Sequence, residues 1–460
     1  MEQFVGMTDR ALARLFLSEN DNFRLVYDAS DNGHIAAWMG NRWAITPSRR
    51  LLEDALFLWC EEVYINNTPA PAPDAKTDPY KRLHQTDHLA GLSRAVQALM
   101  LKVRLAQFDR DDYLLAVDGG QTVDLRTGEI RESRREDYLS KRIYFTPTDT
   151  PTPRFDRFMD EITCGRMVLK EFLLRLMALF LTGKAEQILV FFYGSGANGK
   201  GVLVRLIEKL LGAYSYTLRP EELSDGRYND DQMKRTFALL EGARVAVVNE
   251  MRGDNMNLGM LKTLSGGDTI NGAKMGRDAR PIRPTWKMLF TTNQLPEVPN
   301  KSAFITRVKL VPFSAVFERN GIAGAALEAE LEAELPGILW KLVKLCPDVL
   351  ANGLQAPAEV EAATRDLFEE VDYVSRFRDE KLAGGGYVTR VELVEATEDW
   401  TRRNGLAKSV AKEIREQLKH TAGVTYHDRK RIDGGEPRAL YEGISLVAEP
   451  VAIVGAKLSN

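Results

Sequence analysis

Residues 191–212 read FFYGSGANGKGVLVRLIEKLLG. An apolar run, ILVFFY, enters Gly194-Ser195-Gly196-Ala197-Asn198-Gly199-Lys200-Gly201, and Val202 opens the following helix. The spacing G-x-x-x-x-G-K between a strand and a helix is that of a phosphate-binding loop. Glycines let backbone N–H groups fold around phosphate oxygens, and the helix N-terminus adds its positive end. Leu203, Leu206, Ile207, Leu210 and Leu211 form one apolar helical face, with Gly212 as the expected stop. ATP and Mg²⁺ are the expected ligands, with Lys200 reaching the β- and γ-phosphates. One position departs from the pattern. Gly201 stands where a Ser or Thr hydroxyl would ligate the metal.

Two further buried strands are expected nearby, RVAVVN and WKMLFTTN. Continuous apolar strands separated by helices predict a parallel sheet covered on both faces, an α/β ATPase core over 184–325. The first of these strands ends in Asn249-Glu250. Glu250 is the expected general base that polarises water, and Asn249 and Glu250 are the expected metal side, mostly through water. Asn293, ending the second strand, is the expected γ-phosphate sensor. Arg307 is the expected cation for charge developing in phosphoryl transfer.

Together these pieces resemble a superfamily 3 helicase, of the phage-, plasmid- and poxvirus-type primase–helicase family. The segment KTLSGGDTINGAKMGRDARPIRPTWKMLFTTNQLPEVP is similar to that family's DNA-contacting stretch, and TRVKLVPF resembles its arginine-finger stretch. The resemblance implies an AAA+-like fold and a hexameric ring that hydrolyses ATP between subunits while moving on single-stranded and forked DNA. It implies that Lys274 or Arg277, at a short Gly-containing hairpin, grips DNA phosphates. It is looser over the first 180 residues, at DGGQTVDLRTGEI, and looser still at the C-terminus.

The rest of the chain sets bounds. Its 460 residues carry a formal charge of −3, so a nucleic-acid surface has to be local. Three dispersed cysteines form no metal spacing and fit a reducing, cytoplasmic setting. His84 and His88 lack a third ligand, and no apolar run is long enough to cross a membrane. An α+β domain is expected over 1–150, a helical collar over 151–183, a helical lid over 326–370 and a winged-helix-like domain over 371–460. The basic stretch Arg429-Lys430-Arg431 is a candidate DNA-contacting wing. Trp38 and Trp43 read as core residues or as base-stacking platforms. No acidic metal cluster suited to priming is visible, so a separate primase or polymerase is the expected partner. Two other readings stay open: a nucleotide-binding ring or switch with little turnover, and a replication initiator acting mainly by binding DNA.

Overall fold

The computed structural model describes residues 8–27, 32–67, 86–223, 230–250, 257–273, 278–293, 306–317, 321–370, 373–404, 406, 408–431 and 436–447. The chain forms two compact units, Met1–Leu295 with Arg307–Ala363, and Pro296–Thr306 with Thr364–Asn460.

The first unit begins with β1 (Phe23–Tyr27), β2 (Asn32–Trp38), β3 (Trp43–Thr46) and β4 (Lys102–Arg104), in the order β3-β2-β1-β4. Side chains alternate across this sheet. Ile35 and Ala37 join Leu12, Phe16, Leu56, Trp59 and Val96 from three helices, while Ala36 joins Trp43 and Phe108 on the other face. Trp43 is 0% exposed, stacks on Tyr138 and donates to the Arg135 carbonyl at 2.9 Å. It is therefore a core residue and no base platform. The repeat Val96, Leu99, Met100, Val103 predicts one helix, but the helix ends at Leu99 and Val103 pairs with Val26 in β4. Either conformation would bury Val103. A β-branched residue beside an open strand edge favours the sheet.

A meander follows: β5 (Leu114–Val117), β6 (Gln121–Asp124) and β7 (Glu129–Glu132), turning at Asp118-Gly119-Gly120 as the sequence predicts. Helices Pro153–Ile162 and Met167–Phe180 lead into the central sheet. Its strands are β8 (Leu189–Tyr193), β9 (Ser215–Leu218), β10 (Val245–Val248), β13 (Lys287–Thr292) and β14 (Val308–Pro312). A small hairpin, β11 (Ile270–Gly272) with β12 (Arg280–Ile282), stands apart from it. The five central strands run parallel in the order β14-β8-β13-β10-β9. Every residue of β10 and β13 is buried, as expected of central strands covered on both faces. The edge strand β9 is the polar SYTL and carries no apolar run by which to recognise it.

Helix Gly321–Ala333 rests on the phosphate-loop helix Lys200–Leu211 through Glu328–Arg205 and Glu332–Lys209. Glu334 accepts from the Arg154 and Phe155 N–H groups at 3.0 and 2.7 Å, capping helix Pro153–Ile162 from far along the chain.

In the second unit the elements run helix (Tyr373–Lys381), β15 (Leu382–Thr389), helices Arg390–Arg403 and Lys408–Leu418, then β16 (Thr425–Lys430) and β17 (Arg438–Leu446). The sheet order is β15-β17-β16, antiparallel throughout. Phe377, Leu393, Trp400, Ile414 and Tyr441 form its core.

Candidate phosphate-binding site

The strand register brings the predicted residues together. β13 lies between β8 and β10, so the loops leaving the C-terminal ends of these three strands are neighbours. Gly194–Gly201 follows β8, Asn293 follows β13, and Asn249-Glu250 follows β10. Crevices outside the carboxyl ends of parallel strands are where such sheets bind ligands.

The loop is braced from below. Asn198 is 2% exposed, and its Nδ2 donates to the Phe313 carbonyl at 3.2 Å. The Phe317 N–H donates to the Ala197 carbonyl at 2.8 Å. Gly194 is needed for close approach, since a Cβ there would stand 2.1 Å from Asn198 Nδ2 and 2.5 Å from the Phe313 oxygen. Gly199 adopts φ 83° at the helix N-cap and offers no side chain to the first-turn amides. The N-cap residue thus gives these amides no acceptor, and the Lys200 N–H makes a long contact to Asn198 Oδ1 at 3.5 Å, which leaves the helix end open to an anion.

Lys200 is 8% exposed. Its Nζ donates to the Gly194 carbonyl at 2.8 Å and to Asn293 Oδ1 at 2.6 Å. Burial pushes the ammonium below its ordinary range, and the Glu250 carboxylate opposes that shift. Lys200 thus spans the predicted loop and the predicted sensor. Glu250 has φ 55°, a left-handed conformation uncommon for a side-chain-bearing residue. Thr291 holds it there. Its hydroxyl accepts from the Glu250 N–H at 3.0 Å and lies 3.4 Å from Asn249 Oδ1 as a donor. Thr291 is a positioning residue that sequence reading passes over. Its only signal is the Thr-Thr-Asn that ends WKMLFTTN. Such local strain is typical of functional sites.

The donor set fits Mg²⁺. An exposed carboxylate, an amide oxygen and no protein hydroxyl at position 201 suit a cation that keeps several waters. Sterics among the described residues do not enforce Gly201, because beyond its own helix backbone and chain neighbours a Cβ there would meet Arg205 Nη1 at 3.4 Å, close to ordinary contact. Gly201→Ser is therefore expected to fold normally, with a melting temperature within about 1 °C of wild type, since open sites change stability little. A thermal melt checks this.

Arg307 lies elsewhere. Its carbonyl accepts from the Leu189 N–H at 2.9 Å, at the start of β14 and β8. The loop begins past Tyr193, roughly 20 Å along the strands at the usual rise per residue. Arg307 Nη1 instead donates to Ser265 Oγ at 3.1 Å and to the Lys262 carbonyl at 3.4 Å. Lys274 and Arg277 lie outside the described residues. The stem of their hairpin is fixed, however. The Ala273 N–H donates to the Lys234 carbonyl at 2.9 Å, and Arg280 pairs with Glu241. Arg429 in β16 and Arg431 just after it are exposed, while Lys430 pairs with Glu442 of β17, which also contacts His427 at 2.9 Å. Among the described residues no cluster of three or more His, Cys, Asp or Glu could hold a metal ion, and no helix is long and apolar enough to cross a membrane.

The fold, a five-stranded parallel sheet with α+β additions, resembles solved structures over nearly its whole length. It covers 95% of this chain and 100% of the apo NrS-1 C-terminal region at 12% identity and a TM-score of 0.54. A second apo form of that region matches over 91% and 88%, again at 12% identity, with a TM-score of 0.51. Residues 13–164 match a family described as "D5 N terminal like", and residues 192–307 match one described as "Family of unknown function (DUF5906)". Viral proteins bearing the name "putative helicase" are similar in sequence. One from Acanthamoeba polyphaga mimivirus is 24% identical over 349 residues, 69% of this chain and 36% of the relative. One from Frog virus 3 is 26% identical over 254 residues, 51% of this chain and 26% of the relative. The matched part of this chain thus spans about a third or less of those relatives. The match over residues 13–164 and the viral relatives support a place for this chain in the phage and viral D5-type primase–helicase family.

Proposed function

We propose that this chain is an ATP-dependent DNA helicase of superfamily 3, acting in replication of a phage, plasmid or other mobile element. The observation that carries the proposal is the division of labour along the central sheet. Loop, lysine, carboxylate and amide converge at one end, and Arg307 stands at the other. A site so divided is complete only when a neighbouring copy presents its Arg307. This favours a head-to-tail ring, a hexamer by the family resemblance.

In this reading the loop amides and Lys200 bind the triphosphate of ATP. Asn249 and Glu250 would hold Mg²⁺, largely through water, and the ion when bound neutralises charge on the phosphate oxygens. Glu250 accepts the proton of the attacking water. Asn293, released by Lys200 when a triphosphate takes over the ammonium, turns to the γ-phosphate or the water. The proposed core spans 184–325, preceded by the 1–150 domain and the 151–183 collar, and followed by the 326–370 lid. The second unit runs helix, strand, helix, helix, strand, strand, which supports a winged helix over 371–460. Its exposed Arg429 and Arg431 are the better candidates for the DNA backbone, because Lys430 is already paired. The rigid stem at β11 and β12 supports a hairpin that presents Lys274 and Arg277 to a strand in the channel.

The test is ATP hydrolysis with and without single-stranded DNA, beside unwinding of a forked duplex. Glu250→Gln should lower turnover about 10²- to 10⁴-fold while ATP still binds. Lys274→Ala with Arg277→Ala should abolish unwinding and spare DNA-independent hydrolysis. Wild-type turnover no faster than that of Glu250→Gln would replace the helicase reading with a nucleotide-binding switch. DNA binding that is lost on deleting 371–460, with no unwinding by the intact chain, would favour an initiator.

A further inference from the structure

The vacancy at position 201 has a neighbour. Side chains on a helix lean toward its N-terminus and cover the turn before their own. Arg205 lies one turn after Gly201 and reaches back over it. Its Nη1 stands 3.4 Å from where a Cβ of residue 201 would be, and among the described residues, apart from the chain neighbours and the helix's own backbone, no other group lies within 4 Å of that point. Glu328 fixes the fork. Its Oε1 accepts from Arg205 Nε at 3.0 Å and Nη2 at 2.5 Å. That leaves Nη1 as the edge of the guanidinium directed toward Gly201. A side chain at 201 would meet this group first, so the glycine and the arginine are coupled features of the loop.

We propose that Arg205 supplies positive charge to the bound triphosphate on the side where Gly201 offers no hydroxyl. The inference rests on the nucleotide-site reading above. A guanidinium carries five donors in a planar fork suited to phosphate oxygens and stays charged at any physiological pH. Arg205 is 51% exposed and Glu328 27% exposed, and a pair so open to water is weak. Glu328 therefore orients the fork without locking it away from a more highly charged partner. Lys200 covers the triphosphate from the loop side and Arg205 from the helix side. Binding of ATP is then less dependent on the metal than in a site built with Ser or Thr at this position. Hydrolysis still uses Mg²⁺.

The experiment is calorimetric titration of ATP into the full chain, in chelator and in excess Mg²⁺. The proteins are wild type, Arg205→Ala, Glu328→Ala and Arg205→Ala with Gly201→Ser. Arg205→Ala should lose about ten- to hundredfold in metal-free affinity, the range for a charge-assisted hydrogen bond. Glu328→Ala breaks the same ion pair but keeps the cation, and should bind metal-free ATP at least as tightly as wild type. Adding Gly201→Ser to Arg205→Ala should recover affinity in Mg²⁺ and not in chelator. Equal metal-free affinities for wild type and Arg205→Ala would overturn the assignment while leaving the nucleotide site intact. Equal losses in Arg205→Ala and Glu328→Ala would also overturn it, because the pair would then be structural. A wild type that binds no ATP in either buffer would overturn both readings.

Discussion

Arg307→Ala should lower DNA-stimulated ATP hydrolysis about 10³-fold or more, the usual contribution of an arginine finger. Mixing it with the equally inactive Lys200→Ala should restore part of the activity. The reason is the parallel register. Val308 pairs with Leu189 and Pro312 with Tyr193, so Arg307 and the phosphate loop mark opposite ends of the same two strands. No side-chain rotamer bridges that length, and within one chain Arg307 is held by Ser265 and the Lys262 carbonyl instead. In the proposed ring, a mixture creates junctions where one copy contributes an intact loop and its neighbour an intact Arg307. Phosphate release followed across mixing ratios should therefore peak between the two pure variants. If the mixtures stay as inactive as their parents while light scattering shows mixed oligomers, Arg307 does not act between subunits.

The phosphate loop and its two partner strands are legible in the sequence because their signals are local. A fixed glycine spacing, an apolar run and a polar residue at its end each occupy fewer than about ten consecutive residues. What escapes the sequence depends on contacts between distant segments. Thr291 matters because β13 lies beside β10, a fact of strand order rather than of composition. Arg205 looks like any solvated helical cation until its reach over Gly201 is seen. The three cations at 429–431 look equivalent in sequence, and only the pairing of β16 with β17 places Glu442 beside Lys430. The cap supplied by Glu334 to helix Pro153–Ile162 is likewise invisible along the chain. At Val103 a helical period and a strand edge compete for the same β-branched residue, and pairing with β1 wins.

The largest stability effect is expected at Arg244, at the head of the strand that ends in Asn249-Glu250. Arg244 is 3% exposed. Its guanidinium donates to the Leu181 carbonyl, and through Nη2 to the Leu114 carbonyl at 2.5 Å. It thereby ties the end of helix Met167–Phe180 and strand β5 of the meander to the central sheet. Its plane lies over Tyr214, 4.7 Å from the ring centre, and burial pushes that phenol up to about 12 even with the cation beside it. Tyr214 in turn accepts from the Ala116 N–H at 3.2 Å and donates to the Lys141 carbonyl at 3.0 Å. Burial also raises the Asp109 carboxyl, whose charge Arg244 helps to hold. Arg244→Met keeps most of the volume but strands two buried carbonyls and removes a buried countercharge, and should cost about 2–5 kcal/mol. Arg244→Lys, with a single donor head, should fall between. Urea unfolding measures both, read as a lower midpoint at unchanged slope. An Arg244→Met midpoint equal to that of wild type would mean that the meander and the central sheet are held together without Arg244, by the apolar contacts of Leu115, Val117 and Ile143 alone.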